Sequence, residues 1–147
     1  MSERDGYLVV ETRADRAGLV RVHATRQKPP DPVDIATDPS QPRLRYAAYF
    51  TSLHVATMHA QTALRRGMVD AEAGLYRTDP VTATAAVEAI DLAHRRVYLD
   101  PALADDPRLA AQIERRRTRH RWANRIWTAV GILAIIMLIL FAQIPVF

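Results

Sequence analysis

Side chains that could bind a soft metal ion are concentrated in the stretch "HVATMHA", which runs from His54 to Ala60. His54 and Met58 are four residues apart, so on a helix they would share one face and could offer an imidazole and a thioether to copper or to haem iron. Because no HExxH, Cys-x-x-Cys or Glu-x-x-His motif accompanies them, we expect no bound metal and no cofactor. The weak candidates for metal ligands are His54, Met58, His59 and His94.

Nucleophilic catalysis and phosphate binding have no recognisable motif in the chain. Ser52 precedes His54 by two residues, but it lacks the G-x-S-x-G turn, and a helix would hold the two side chains apart. The five glycines form neither GxGxxG nor GxxxxGK[ST]. The absence of cysteine excludes disulfides, thiolate metal sites and a cysteine nucleophile. We therefore predict that the protein is not an enzyme and has no catalytic residues.

The C-terminal part of the sequence has the length and composition of a membrane span. Residues 126–142 carry no charge, and the stretch 126–147 would form a helix about 33 Å long, which matches the roughly 30 Å hydrocarbon core of a bilayer. A buried helix of a soluble domain is usually shorter and keeps a polar stripe, and a chain of 147 residues could scarcely cover this one. We predict one transmembrane helix over residues 126–147.

Basic residues are concentrated immediately before this span. The formal net charge is +4, yet residues 108–125 contain seven arginines against Glu114 alone, so the remainder of the chain is slightly acidic. A charge this local argues against a nucleic-acid partner and is typical of contact with membrane lipid. The predicted membrane-interface residues are Arg115, Arg116, Arg117, Arg119, Arg121, Trp122, Arg125 and Trp127.

The same arginines predict the orientation of the protein in the membrane. Because arginine is enriched on the cytoplasmic side of membrane spans, the N-terminal part should lie in the cytoplasm, with the C-terminus across the membrane as a tail anchor. Lys28 is the only lysine among 20 basic residues, an arginine preference typical of a GC-rich genome. We therefore expect a single-pass protein of a bacterial inner membrane.

Hydrophobic and proline patterns divide the remaining sequence. Residues 1–27 predict a β-hairpin of two strands, Tyr7 to Thr12 and Leu19 to Thr25. Residues 28–42 contain five of the nine prolines and predict an extended linker. Residues 43–106 predict a helical domain, and residues 107–125 predict a basic juxtamembrane helix that continues into the span. The predicted fold class is therefore mainly α: a small helical cytoplasmic domain with an N-terminal β-hairpin and one C-terminal transmembrane helix.

Within the helical domain we predict two long helices. The first starts at Arg43 and extends for some 25 residues, and the second starts at Asp79 and Pro80, which suit the N-cap and the first helical position. The second helix should continue to Asp100, where Pro101 would end it.

Three functional hypotheses follow from these features. The first is a non-catalytic accessory or assembly subunit of a larger inner-membrane complex, whose partners would be membrane lipid and an integral membrane complex or further copies of the chain. The second is a membrane-tethered adaptor that recruits a soluble partner through the hairpin edge or the proline-rich strap. The third is a small metal-binding protein that uses the histidines and Met58. Nothing in the sequence identifies partner-binding residues.

Overall fold

An antiparallel six-stranded sheet forms the centre of the domain in the computed structural model, which describes residues 4–30 and 40–142. The strand order is β4-β5-β2-β1-β3-β6, so β1 lies in the interior of the sheet between β2 and β3. The strands are β1 (Gly6–Thr12), β2 (Leu19–Thr25), β3 (Arg43–Phe50), β4 (Met68–Asp70), β5 (Leu75–Arg77) and β6 (His94–Leu99).

Four α-helices connect and cover the strands in the part of the chain that the structure describes. They are α1 (Leu53–Leu64), α2 (Pro80–Glu88), α3 (Pro101–Ala104) and α4 (Pro107–Ala142), and a 3-10 turn (Arg65–Gly67) follows α1. Helix α4 has 36 residues and is therefore about 54 Å long.

Alternating apolar side chains on the central strands build the main core. Tyr46, Ala48 and Phe50 on β3 point to the same face as Leu8 and Val10 on β1, because side chains of a strand alternate between its two faces. Small side chains on α1 and α2 allow these helices to lie close against this face. The two helices contribute the buried residues Ala56, Ala60, Leu64, Ala83, Ala86 and Val87, and Ile90 adds to the core just after α2.

The predicted fold class, mainly α with a small hairpin, is wrong: the domain is an α+β unit built on one sheet. The segment Arg43–Phe50 was expected to begin a long helix, but it forms β3, and the helix starts only at Leu53. Its apolar residues fit both a helical and a period-two pattern, and pairing with β1 and β6 selects the strand.

Two further strand regions lie where helix or loop was expected. His94–Leu99 was assigned to the end of the second helix, but α2 ends at Glu88 and this segment forms β6 beside β3. The short hairpin of β4 and β5 was not predicted at all, and it pairs with β2 through Leu19 to Arg21. The predicted linker falls partly outside the described residues, since residues 31–39 are not among them.

Several local predictions are confirmed. Strands β1 and β2 lie within one residue of the predicted ranges. The Asp79 carboxylate accepts a hydrogen bond from the Thr82 amide at 3.2 Å and caps α2, with Pro80 at its first position. A helix beginning at Pro107 runs without a break into the apolar segment.

Gly74 closes the β4–β5 hairpin against β2 in a conformation that only glycine adopts easily. Its φ is +64°, its carbonyl accepts the Val22 amide at 2.8 Å, and an added Cβ would lie 2.3 Å from the Val22 oxygen. Gly18, in the β1–β2 turn, has a similar φ of +77° but no atom within 4 Å of such a Cβ. The two positions therefore separate backbone strain from steric overlap.

We predict that Gly74→Ala lowers the free energy of unfolding more than Gly18→Ala does. Backbone strain should cost about 1–2 kcal/mol at either site, and overlap with β2 should add about 1–3 kcal/mol at Gly74 alone. Chemical unfolding of the full chain in detergent measures both values. Equal losses would contradict the close contact between Gly74 and β2.

Candidate functional site

The first turns of α4 pack into the domain and complete a second, smaller core. Leu109 is buried against Val81 and Ala85 of α2 and Leu103 of α3, and Ile113 packs at the edge of the same cluster. Burying a leucine side chain stabilises the folded state by about 1.5–3 kcal/mol. The helix that carries the predicted span is therefore part of the domain.

The start of α4 is fixed by Asp106. Its carboxylate accepts a hydrogen bond from the Arg108 amide at 2.9 Å, and the Arg108 guanidinium binds the same carboxylate at 2.8 Å. These hydrogen bonds from Arg108 keep the pKa of the Asp106 carboxyl below its ordinary value. Both side chains are solvent-accessible, so this contact defines where the helix begins more than it stabilises the domain.

A buried carboxylate at the end of α2 joins four elements. Glu88 accepts hydrogen bonds from the hydroxyl of Tyr46 on β3 and from two nitrogens of Arg96 on β6, at 2.7 and 3.4 Å. His94 Nε2 lies 3.9 Å from the same carboxylate. Arg117 of α4 donates to the Glu88 backbone oxygen at 3.4 Å and places its guanidinium 3.9 Å from the carboxylate. We call these five residues the Glu88 cluster.

The surroundings of Glu88 favour its ionised form. Burial alone would raise the pKa of the carboxyl, but the hydrogen bonds from Arg96 and Tyr46 and the positive charge of Arg96 outweigh it, so the pKa lies below the ordinary 4.5. Burial and the neighbouring Glu88 also raise the pKa of Tyr46 far above its ordinary value, so its hydroxyl stays protonated and donates. The Glu88 cluster is therefore a network of ion pairs and hydrogen bonds around one ionised carboxylate.

The position of Arg117 gives this network a role in attaching α4. Leu109, Ile113 and Arg117 are spaced by four residues and form one stripe along the helix. Leu109 contacts Val81 and Ala85 near the start of α2, whereas Arg117 contacts Glu88 at its end. Helices α2 and α4 therefore run in the same direction, with an apolar contact at one end and a charged contact at the other.

Beyond this stripe, α4 leaves the domain with every side chain exposed. Residues 118–142 are all solvent-accessible, and Trp127 and Leu138 are 74% and 72% exposed. The apolar window of α4 has a mean hydropathy of 2.3 and none of it is buried in the protein. Monomeric soluble domains rarely expose a contiguous apolar surface of this extent. Among the described residues α4 is the one helix long and apolar enough to cross a membrane, and it is compatible with a single span.

The structure divides the eight predicted membrane-interface residues into two groups. Arg116 is half-buried, which together with the neighbouring Arg119 lowers its pKa, and Arg117 is bound to Glu88. These two arginines therefore face the domain. The other six are exposed: Arg115, Arg119, Arg121, Trp122 and Arg125 precede the apolar stretch of α4, and Trp127 lies at its start.

The structure does not bring His94 to the histidines and Met58 of α1. His54, Met58 and His59 are exposed on α1, whereas His94 stacks on Phe50 with ring centroids 5.0 Å apart and contacts the Leu92 carbonyl at 2.8 Å. Within the described ranges, no group of three or more His, Cys, Asp or Glu side chains could hold a metal. Of the residues in the Glu88 cluster, His94 was predicted only as a weak metal ligand and Arg117 only as a membrane-interface residue, and Glu88 was not predicted as a site residue. One sign was available: Glu88 is the only charged residue in the apolar run "TATAAVEAI".

We predict that Glu88→Gln removes a pH dependence of stability. Because the pKa of Glu88 is lowered on folding, its stabilising contribution is present above pH 4.5 and is lost as the pH falls through the lower folded value. Unfolding in detergent at a series of acidic pH values should show a smaller loss for the variant than for the wild type. At neutral pH the variant should be about 1–3 kcal/mol less stable. Asp91→Asn, which removes an exposed carboxylate nearby, is the matched control, and a variant with wild-type pH dependence would contradict the assignment.

We predict that Arg117→Gln loosens the attachment of α4, whereas Arg115→Gln leaves it unchanged. Arg117 is partly exposed, so the loss should be about 1 kcal/mol, and Arg115 should contribute within about 0.5 kcal/mol. Amide hydrogen exchange of residues 107–117 in detergent measures the change. Faster exchange in both variants would show that overall charge, rather than the contact with Glu88, holds the helix.

The comparisons with known proteins give no relative for this chain. No protein family, curated protein or solved structure matches it.

Proposed function

We propose that the protein is a single-pass membrane protein whose domain lies in the cytoplasm of a bacterial cell and acts as a non-catalytic accessory or assembly subunit of an inner-membrane complex. The observation that carries this proposal is the double role of α4. Its first turns belong to the core of the domain, and its exposed apolar length of residues 126–142 suits lipid or the spans of other subunits.

The exposed arginines support the orientation. Arg115, Arg119, Arg121 and Arg125 all precede the apolar stretch of α4, and a bias of arginine to one flank places that flank in the cytoplasm. Trp122 and Trp127 lie at the boundary, where amphipathic rings favour the headgroup region. The domain, being on the same side of the span as these arginines, would be cytoplasmic.

A structural use of the charged residues supports a non-catalytic role. Tyr46 is fully buried, and Glu88, which is 7% exposed, has both carboxylate oxygens engaged by Tyr46 and Arg96. Asp100 is also buried, caps α3 and pairs with Arg45 at 2.7 Å and Arg43 at 3.1 Å. In an open cleft these side chains could take part in catalysis. Here they are buried and form hydrogen bonds and ion pairs within the domain.

The edge of the β1–β2 hairpin, one of the two surfaces that the adaptor hypothesis requires, is largely paired within the sheet. Strand β1 is paired on both sides, and β2 is paired with β1 and, through Leu19 to Arg21, with β5. Val22 also donates its amide to Gly74, so little of the hairpin edge is left for a partner strand. The proline-rich strap stays a hypothesis, since residues 31–39 lie outside the described part of the chain.

We predict that a cysteine placed at Ala17 is reached by a membrane-impermeant maleimide only from the cytoplasmic side. Ala17 is exposed in the β1–β2 turn, and the wild-type chain has no cysteine, so the label reports this position alone. Intact spheroplasts should remain unlabelled and inverted membrane vesicles should be labelled. Labelling of intact spheroplasts would show the opposite orientation. Recovery of the protein in the soluble fraction would contradict the proposed membrane span.

We predict that the protein purifies from native membranes in a mild detergent together with other integral membrane subunits. Mass spectrometry of the purified material identifies them, and detergent treatment that strips the complex provides the control. Recovery as an assembly of its own copies would favour a homo-oligomer. A monodisperse single copy without companions would contradict the accessory role.

A further inference from the structure

We propose that the end of the domain nearest the membrane is a second lipid-binding surface, which contacts anionic phospholipid headgroups through Arg4, Arg26, Lys28 and Arg95. This inference rests on the proposed membrane insertion of α4. It concerns the domain itself rather than the arginines of α4, and we call these four residues the basic end of the domain.

The direction of α4 identifies which end of the domain faces the membrane. From Leu109 to Arg117, α4 runs parallel to α2, and the contact with Glu88 marks the end from which it leaves the domain. Strand β6 runs the opposite way, because His94 lies beside Glu88 while Leu99 packs against the small core that contains Val81 and Leu109. The start of β6 is therefore near the membrane.

The sheet register brings further strand ends to the same level. His94 pairs with Phe50 and Phe50 pairs with Gly6, while Thr25 pairs with Tyr7 beside it. Arg26 and Lys28 follow Thr25 directly, and Arg4 precedes Gly6 and accepts the Leu53 amide through its carbonyl at 2.7 Å. All four members of the basic end thus belong to one end of the sheet.

The four basic side chains at this end are exposed, and they outnumber the exposed carboxylate of Asp91 beside them. Arg4, Arg26, Lys28 and Arg95 are solvent-accessible, and in residues 4–30 and 40–142 none of them forms an ion pair with a carboxylate. Arg95 lies over the Tyr49 ring, 5.9 Å from its centroid, which holds the guanidinium at the surface. Asp91 is the exposed carboxylate in the adjacent α2–β6 loop. At the opposite end, Asp15 pairs with Arg13 and Asp106 pairs with Arg108.

The length of α4 places the basic end within electrostatic reach of the lipid. Arg117 lies nine residues before Ile126, or about 14 Å along the helix, and the headgroup layer occupies roughly 5–8 Å of that distance. The gap that remains is about one Debye length at physiological salt, roughly 8 Å. The tilt of transmembrane helices ranges over about 0–40°, so a tilt toward the sheet would bring Arg26 and Lys28 to the headgroups.

The test uses the full chain in vesicles, with a fluorophore on a cysteine at Gln27 in one sample and at Ala17 in another. Both residues are exposed, and they lie beyond opposite ends of β2. A quencher attached to lipid headgroups reports how close each label lies to the surface. Vesicles of phosphatidylcholine alone are compared with vesicles that also contain phosphatidylglycerol.

We expect phosphatidylglycerol to increase quenching at position 27 and not at position 17, and high salt to reverse the increase. Arg26→Gln, Lys28→Gln and Arg95→Gln together should abolish it, because each basic residue near an anionic surface shifts the equilibrium by about five-fold. The matched control removes three exposed charges from the opposite half of the domain (Arg16→Gln, Arg65→Gln, Arg66→Gln) and should leave the quenching unchanged.

Three results would overturn the inference. Equal quenching at position 27 in both lipids would show that anionic headgroups are not bound. If the two triple variants changed the quenching equally, the increase would depend on the net charge of the domain and not on the basic end. Quenching at position 27 that responds to an added DNA duplex and not to phosphatidylglycerol would assign the basic end to nucleic acid. Flotation separates the two proposals: a chain that does not float with either kind of vesicle removes the membrane span and this surface together, whereas a chain that floats without a lipid-specific change removes this surface alone.

Discussion

The attachment of α4 to α2 is the contact on which the rest of the structure depends, because the same helix closes the second core of the domain and carries the exposed apolar stretch. The contact has an apolar and a charged part. Leu109 supplies the transfer energy of a buried side chain. Arg117 donates a hydrogen bond to the Glu88 backbone oxygen and lies 3.9 Å from the Glu88 carboxylate, which Tyr46 and Arg96 already bind. The two contacts lie eight residues apart along α4, so together they set the direction in which α4 leaves the domain.

Much of this helix could be predicted from the sequence, since its apolar length, its arginines and its Asp-Pro start are all local features. The sheet could not be predicted in the same way. The residues of β3 fit a helix as well as a strand, and the strand forms because β1 and β6 offer partners distant in sequence. Strands β4 and β5 have three residues each, too few for a pattern to appear, and they depend on Gly74 and on pairing with β2. Strands β1 and β2 were predictable because Val and Thr dominate them and a short turn joins them.

The candidate site was predictable in composition but not in arrangement. A cluster of arginines before an apolar run indicates a membrane interface, and no sequence pattern distinguishes Arg117 from Arg115. The distinction depends on the stripe that Leu109 and Ile113 begin, and that stripe acquires meaning only once α2 is known to lie against it. Glu88 fell within a helix that was expected to continue to Asp100. Its burial follows from the earlier end of α2 and from the return of β6, which brings Arg96 and His94 to the carboxylate.

The two parts of the α2–α4 contact differ in how they would respond to a force from the membrane. A tilt of the proposed span would displace α4 relative to the domain. The contact between Arg117 and Glu88 is the one nearest the proposed span, so it would be displaced first. Leu109 lies eight residues further along the helix, so it moves least and keeps the helix attached. A displacement of α4 would therefore first change the contacts of Glu88, whose carboxylate also binds Tyr46 of β3 and Arg96 of β6. Since Arg95 of the basic end neighbours Arg96 in β6, contact with lipid and the position of α4 would act on the same end of the sheet.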